Sequence, residues 1–293
     1  MEKLLFIINP VAGGGKAKRL VPVIENFMKE TKKPYDIVFT DRPKEATHLS
    51  KRGIKKGYNT IVAVGGDGTV NEVAIGILES GRGILGIIPS GTGNDLARTL
   101  DIPFDPVEAM DIIIKGNKKQ IDIGFVNNNP FLNIASIGLD SEVVKNTEKI
   151  KIRIRSRIAY VLGVLSTLFS FKDKKIKLEI DDIPMDKNVF LVAVGNGKYY
   201  GGGLKILPMA IAEDGYFHVC VINKASKIKL LFLFPSILKG KHIKFRKDVE
   251  IFKAKKIKVV TEDKTYLNID GEIHDIERET LFMVGDERLT VFC

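Results

Sequence analysis

The rhythm of apolar runs over the first hundred residues constrains this chain most. Leu4–Ile8, Ile37–Phe39, Ile61–Val64 and Ile84–Ile88 are short apolar runs, each followed by a stretch long enough and suitably patterned for one helix. Strand–helix–strand spacing of this kind predicts a parallel sheet with helices on both faces. Such sheets bind ligands at the carboxyl ends of their strands, and that is where this chain puts its glycines: Gly13–Gly15, Gly65–Gly68, and Gly91 with Gly93. After about Asp122 the pattern changes. Strand-like runs (Phe131–Ile137, Ile176–Ile180, Val189–Val194, Tyr216–Ile222, Lys256–Thr261, Thr265–Ile269) are joined by turns such as Asp181-Asp182 and Asp214-Gly215. Strands without helices between them predict an antiparallel, sandwich-like domain. The expected division is an α/β domain over residues 1–123 and an all-β domain over 124–279, with the tail 280–293 finishing the second or returning to the first.

Composition excludes several classes. With 44% hydrophobic residues in 293, the chain can bury real cores and is not of the disordered type. Cys220 and Cys293 make neither a disulfide framework nor a CxxC pair, so a reducing cytosol is the expected compartment. The opening run breaks at Asn9-Pro10, too soon for a signal peptide. Ile158–Phe171, the longest uncharged and mostly apolar run, is shorter than the ~18 residues a spanning helix needs.

The formal charge of +10 is unevenly spread: Lys145–Lys177 carries +8, Lys224–Lys258 carries +10, and the rest of the chain −8. Each basic stretch surrounds one of the longest apolar runs, an arrangement that suits an anionic bilayer surface and equally suits core helices edged with solvated lysines. No zinc-finger, RRM or basic-zipper pattern supports nucleic acid as the partner.

Three glycine loops carry the chemistry. Gly65-Gly66-Asp67-Gly68-Thr69-Val70-Asn71-Glu72 follows a buried strand and opens a helical stretch, so successive N–H groups and the helix N-terminus can converge on one anion. Thr69 and Glu72 also fit a capping box. Asp67 has no such structural role open to it, and a carboxylate in a phosphate loop points to a magnesium-linked or catalytic part. Pro89-Ser90-Gly91-Thr92-Gly93-Asn94-Asp95 repeats the design at the next strand end. Asn9-Pro10-Val11-Ala12-Gly13-Gly14-Gly15-Lys16 is not a P-loop, because Ala17 stands where that motif needs a hydroxyl. Either glycine motif alone reads as a tight turn before a helix; two at neighbouring strand ends, each with an aspartate, favour phosphoryl transfer. The four histidines show no metal-ligand spacing, and no GxSxG elbow occurs.

Taken together, Asn9-Pro10 with its glycines, Gly65–Glu72 and Pro89–Arg98 resemble the diacylglycerol kinase-like lipid kinases, a family that includes sphingosine and ceramide kinases. The likeness continues through Gly195-Asn196-Gly197, Tyr199–Gly203, Pro208-x-Ala210, Asp214-Gly215-Tyr216 and Asp270-Gly271-Glu272. It covers nearly the whole chain and looks most like the soluble bacterial branch. The resemblance implies ATP- and Mg2+-dependent transfer of a γ-phosphoryl group to a lipid hydroxyl, with diacylglycerol the first choice of acceptor. It implies nucleotide contacts at Asn9, Pro10, Val11, Ala12, Gly13, Thr40, Gly65, Gly66, Asp67, Gly68, Thr69, Asn71, Glu72 and Thr92. It further implies a structural Mg2+ on Asp214 with backbone oxygens of Ile211 and Tyr216. Glu272 becomes the proton acceptor with Asp270 its partner, and Asp67 and Asp95 organise the catalytic Mg2+ through water. A cytoplasmic enzyme held peripherally at the anionic inner face of the membrane follows, with a homodimer among the oligomeric states left open. Two alternatives stand beside it: an NAD kinase-like enzyme, which shares the GGDG logic, and a lipid- or nucleotide-binding regulator that has lost catalysis.

Overall fold

The computed structural model describes residues 3–139, 141–142, 171, 173–262, 265–276 and 278–293, so most of the first basic stretch, including the apolar run from Ile158, lies outside the described residues. The chain divides into two compact units, Met1–Ile123 with Asp286–Cys293, and Gly124–Gly285.

The first unit is built on parallel strands β1 (Leu4–Ile8), β2 (Tyr35–Phe39), β3 (Thr60–Gly65) and β4 (Ile84–Pro89), in the order β2-β1-β3-β4. Strands β1 and β3 are buried along their whole length, which is why they read as unbroken apolar runs: both faces of a parallel sheet are covered. The edge strand β2 is only partly buried and accordingly tolerates Tyr35 and Asp36, so its run looked shorter in the sequence. The helices are α1 (Ala12–Arg19), α2 (Val21–Thr31), α3 (Glu45–Lys55), α4 (Asp67–Leu78), α5 (Asp95–Thr99) and α6 (Pro106–Lys115). The last shows why the chain turns where it does. Asp105 accepts hydrogen bonds from the amides of Val107 and Glu108, Pro106 occupies the first helical position, and Gly116 ends the helix at φ 84°.

The second unit is antiparallel. Strand β5 (Lys118–Val126) begins in the first unit and enters the second at Gly124, and β6 (Asn129–Phe131), β7 (Ile134–Gly138), β8 (Lys174–Ile180), β9 (Ile183–Gly195) and β10 (Phe217–Asn223) precede helix α7 (Lys227–Leu238). Strands β11 (Val249–Ala254), β12 (Lys256–Thr261), β13 (Thr265–Ile269), β14 (Glu272–Ile276) and β15 (Glu279–Phe292) follow it. The long strand β9 pairs with β7, β8 and β10. Asp181 and Asp182, at φ 43° and 68°, form the two-residue turn joining β8 to β9, the left-handed pair that a tight hairpin needs. Period-two alternation gives this sheet two apolar faces. Val192, Val194, Val219 and Val221 pack with Phe131, Phe217, Ile257 and Phe282. Leu191, Ala193, Cys220 and Ile222 pack instead with Leu230, Leu233 and Ile237 of α7. The tail serves each unit in turn: Glu279–Met283 runs antiparallel to β12, and Val291 lies parallel to Leu85 of β4. The expected α/β unit with parallel strands and the β-rich second unit are thus both present. Among the described residues no helix is long and apolar enough to cross a membrane.

Candidate active site

In the first unit the three glycine loops form one connected structure. Asn9, at the end of β1, accepts a hydrogen bond from the Val11 amide at 3.2 Å and donates through Nδ2 to the Thr69 hydroxyl at 3.2 Å. Gly13, Gly14 and Gly15 follow at φ 58°, 68° and 87°. A Cβ on Gly13 would lie 2.1 Å from the Ser90 carbonyl oxygen, so only glycine lets the first loop lie against the third. The second and third loops touch in the same way: a Cβ on Gly91 would fall 2.3 Å from Gly66 Cα. Asp67, expected from the sequence to have no structural part, in fact bolts them together, its Oδ2 accepting from the Asn94 amide at 2.8 Å and its Oδ1 from the Asp95 amide at 2.6 Å. Asn94, itself left-handed, closes its own loop by accepting from the Gly91 amide at 2.9 Å. Thr40, buried at the end of β2, is held beside the same strand ends by its amide, which donates to the Ile8 carbonyl at 3.0 Å.

What this arrangement offers is backbone N–H groups and a helix end. Helix α4 begins after Gly66 with no side chain capping it, leaving its positive end available to an anion. Gly68 and Thr92 are exposed. The capping box read from Thr69 and Glu72 is not formed. Thr69 lies inside the helix with its hydroxyl engaged by Asn9, and the Glu72 carboxylate reaches across to helix α3, accepting from the amides of Lys44 and Ala46 at 3.0 Å each. The requirement for a cap was legible; which helix received it depended on the tertiary fold. Ser90 Oγ and Asn71 Oδ1 are buried without a hydrogen-bond partner among the described residues, an uncommon state for polar atoms.

The acids of the second unit differ sharply in environment. Asp270, at φ 47°, accepts from three backbone amides: Leu132 at 2.8 Å, Asn133 at 3.1 Å and Ile134 at 2.9 Å. That bracket also explains why the run Phe131–Ile137 is not one strand, since β6 ends at Phe131 and β7 begins at Ile134. Gly271 (φ 98°) donates its amide to Asn268 Oδ1, so Asp270-Gly271 is a turn, and Glu272 opens β14 with its side chain exposed. Asp214 follows another pattern. Its Oδ1 accepts from the Tyr216 amide at 3.1 Å, while Oδ2 meets His218 Nε2 at 3.2 Å and Lys253 Nζ at 3.0 Å. Burial works to raise the Asp214 pKa, but Lys253, His218 and the Tyr216 amide together outweigh it and hold the carboxyl below its ordinary range.

Comparison with known proteins names the assembly. Residues 3–126 match the family described as the diacylglycerol kinase catalytic domain, and residues 133–285 match the YegS C-terminal NAD kinase beta sandwich-like domain. A diacylglycerol kinase of Staphylococcus saprophyticus is 34% identical over 272 residues, covering 92% of this chain and 89% of that protein. The chain belongs to the diacylglycerol kinase family. A Staphylococcus carnosus diacylglycerol kinase is 32% identical over the same shares of the two chains. A solved diacylglycerol kinase structure from Bacillus anthracis superposes with a TM-score of 0.73 at 25% identity, covering 99% of this chain and 96% of that one. An Archaeoglobus fulgidus NAD kinase in complex with ATP shares the fold, with a TM-score of 0.53 at 16% identity, covering 100% of this chain and 94% of that one.

For a member of this family, the first unit suits a polyphosphate. The glycine cradle, the uncapped α4 terminus and the unpartnered Ser90 hydroxyl are what a bound anion would complete, whereas Asn71 Oδ1, which only accepts, needs a donor such as an ordered water. Asp67 spends one acceptor direction of each oxygen on the α5 amides, and a carboxylate oxygen retains another for a magnesium-bound water. Of the expected nucleotide residues, Asn9, Gly13, Gly66, Asp67 and Thr69 are directly tied into the cradle, whereas the Glu72 carboxylate is committed to helix α3. The Asp214 donor set, one carboxylate with carbonyls at Ile211 and Tyr216, is of the right kind for a hard cation, but the Lys253 ammonium already sits on it. Among the described residues, no three His, Cys, Asp or Glu side chains gather to hold a metal. Sequence reasoning passed over three participants: Ser90, Lys253, and the amides of Leu132–Ile134. Backbone partners leave no signature in residue type, and Lys253 lies far along the chain from Asp214.

Proposed function

We propose that this chain transfers the γ-phosphoryl group of ATP to a lipid hydroxyl, diacylglycerol first among acceptors, yielding phosphatidic acid. The observation that carries the reading is the interlocked triple glycine loop of the first unit. It presents backbone N–H groups and a helix terminus to a triphosphate, and its carboxylate, Asp67, is fixed by two amides. In this scheme Asn9, Gly13, Gly66, Gly68 and Thr69 bind and orient the phosphates, with Thr40, Thr92 and Asn71 completing the nucleotide contacts. Asp67 and Asp95 hold a Mg2+ through water, and that ion, when bound, neutralises charge accumulating on the transferred group. Glu272, exposed on β14, takes the proton of the attacking hydroxyl, and Asp270 sets the turn that carries it. Asp214, with the carbonyls of Ile211 and Tyr216, would hold a structural Mg2+ once the Lys253 ammonium moves aside. The acceptor's acyl chains bring the enzyme to the anionic inner face of the membrane as a peripheral protein.

The test is an acceptor competition. Protein, Mg2+ and γ-labelled ATP are offered dioleoylglycerol in mixed micelles together with NAD+. Label in phosphatidic acid is the expected result. Label in NADP+ alone would replace this reading with the NAD kinase one.

A further inference from the structure

Helix α7 has apolar residues on every side. At 3.6 residues per turn, Leu230, Leu233 and Ile237 line its inward side and are buried with Cys220, Ile222 and Val249. The opposite side holds Ile228, Phe232 and Pro235 at i, i+4 and i+7, with Leu238 beside them, while Leu231 is partly buried against the core. Ile228 is 70% exposed, Phe232 72% and Leu238 56%. A helix on the surface of a soluble domain normally turns charged residues outward. Here the outward stripe contains none; Lys227 and Lys229 lie on its two flanks, and both point their charge back into the unit. Lys227 donates to the Phe171 carbonyl and lies 5.1 Å from the centre of the Phe190 ring, and Lys229 pairs with Asp248 at 2.7 Å.

Immediately after the helix the character reverses. Lys239, Lys241, Lys244, Arg246 and Lys247 are all exposed, together with Phe245, and none of the five cations is paired with an acid among the described residues. Contiguous apolar exposure edged by uncompensated positive charge is complementary to one kind of partner. An anionic phospholipid surface supplies an apolar layer for Phe232 and Ile228 to enter, with phosphates at the depth where the lysines end. A protein partner would have to offer both an apolar groove and a rim of acids.

We infer that helix α7 and the basic segment Lys239–Lys247 form the docking face by which the second unit rests on an anionic bilayer. The inference rests on the lipid-kinase reading for its purpose, but its observable is binding, not catalysis. Ser226, whose hydroxyl accepts from the Lys229 amide, fixes the start of the helix, so the stripe is preformed before it meets lipid.

The experiment uses the whole protein in co-sedimentation with vesicles of phosphatidylcholine, with and without about one-third phosphatidylglycerol. Each sample is assayed in parallel on a short-chain diacylglycerol dispersed in water. Wild type should bind the anionic vesicles and release them as salt rises. Ile228→Glu with Phe232→Glu, both at exposed positions, should weaken binding about 10- to 100-fold at every salt concentration. Lys241→Gln, Lys244→Gln and Lys247→Gln together should weaken it by about 100-fold at low salt and hardly at all at high salt. Activity on the dispersed acceptor should be unchanged in both variants. Vesicle binding indifferent to both sets would overturn the docking face while leaving the kinase reading intact. A dimer of wild type that the glutamate variant splits, with vesicle binding unaltered, would overturn it too, since the stripe would then meet a second copy. Salt-sensitive binding lost in the variants, in a protein that phosphorylates no lipid, would uphold docking and remove the kinase reading.

Discussion

The closeness of the first and third glycine loops can be tested by two adjacent substitutions that differ in one physical respect. Gly13 and Gly14 have similar left-handed conformations, φ 58° and 68°. A Cβ on Gly14 would meet nothing within 4 Å, whereas one on Gly13 would sit 2.1 Å from the Ser90 carbonyl oxygen. Gly14→Ala therefore carries only the left-handed cost, about 1–2 kcal/mol. Gly13→Ala carries the same cost plus a collision with backbone that cannot rotate away, about 1–3 kcal/mol more. If nucleotide binding requires the loops to return to contact, that increment corresponds to roughly 5- to 150-fold in ATP affinity. Calorimetric ATP titration of both variants, with thermal melts on the same samples, separates the two effects. Both should melt below wild type, and Gly13→Ala alone should lose most of its ATP affinity. Equal ATP affinities in the two variants would refute the claim that this backbone contact shapes the phosphate cradle.

Other consequences concern the second unit. Glu272→Gln should lower turnover about 10²- to 10⁴-fold with ATP affinity unchanged; an unaltered rate would move the proton acceptor elsewhere. Asp270→Asn replaces a carboxylate serving three amides with a group able to accept on one oxygen only, and urea melts should show a loss of about 2–3 kcal/mol. Wild-type stability in that variant would show that the bracket is idle. Burial acts to raise the Glu250 pKa, but Lys187 at 2.6 Å and Asn223 prevail and hold it below its ordinary value of 4.5. The stability that this carboxylate adds is therefore present above about pH 4.5 and lost as the pH falls through its lower folded value. Wild type should lose more stability than Glu250→Gln across that acid range, and parallel pH–melting curves would contradict the assignment. Lys253→Met should make the melting temperature newly dependent on Mg2+ by vacating Asp214; indifference to Mg2+ in the variant would speak against a cation there.

Most of the first unit was readable because its determinants are local. Apolar runs buried on both faces announced β1, β3 and β4, and glycines at strand ends announced the loops. Phe131–Ile137 misled because its break is imposed from Asp270, far along the chain. Glu72 misled in a similar way: a carboxylate one turn into a helix resembles a cap for that helix until the fold brings the start of α3 beside it. The outward stripe of α7 could be named as apolar but not as exposed, since Ile228 and Leu230 are indistinguishable until the core has taken one of them.

Asp67 offers the most direct measurement. Its carboxylate joins the second and third loops and is the acid assigned to the phosphoryl-transfer site. Transfer of label from γ-labelled ATP to dioleoylglycerol should be measured in wild type and in Asp67→Ala, with melting curves on the same preparations. Wild type should form labelled phosphatidic acid, and the variant should do so about 10²- to 10³-fold more slowly while still melting cooperatively. Undiminished transfer by a folded Asp67→Ala protein, or no lipid labelling by wild type, would contradict the account.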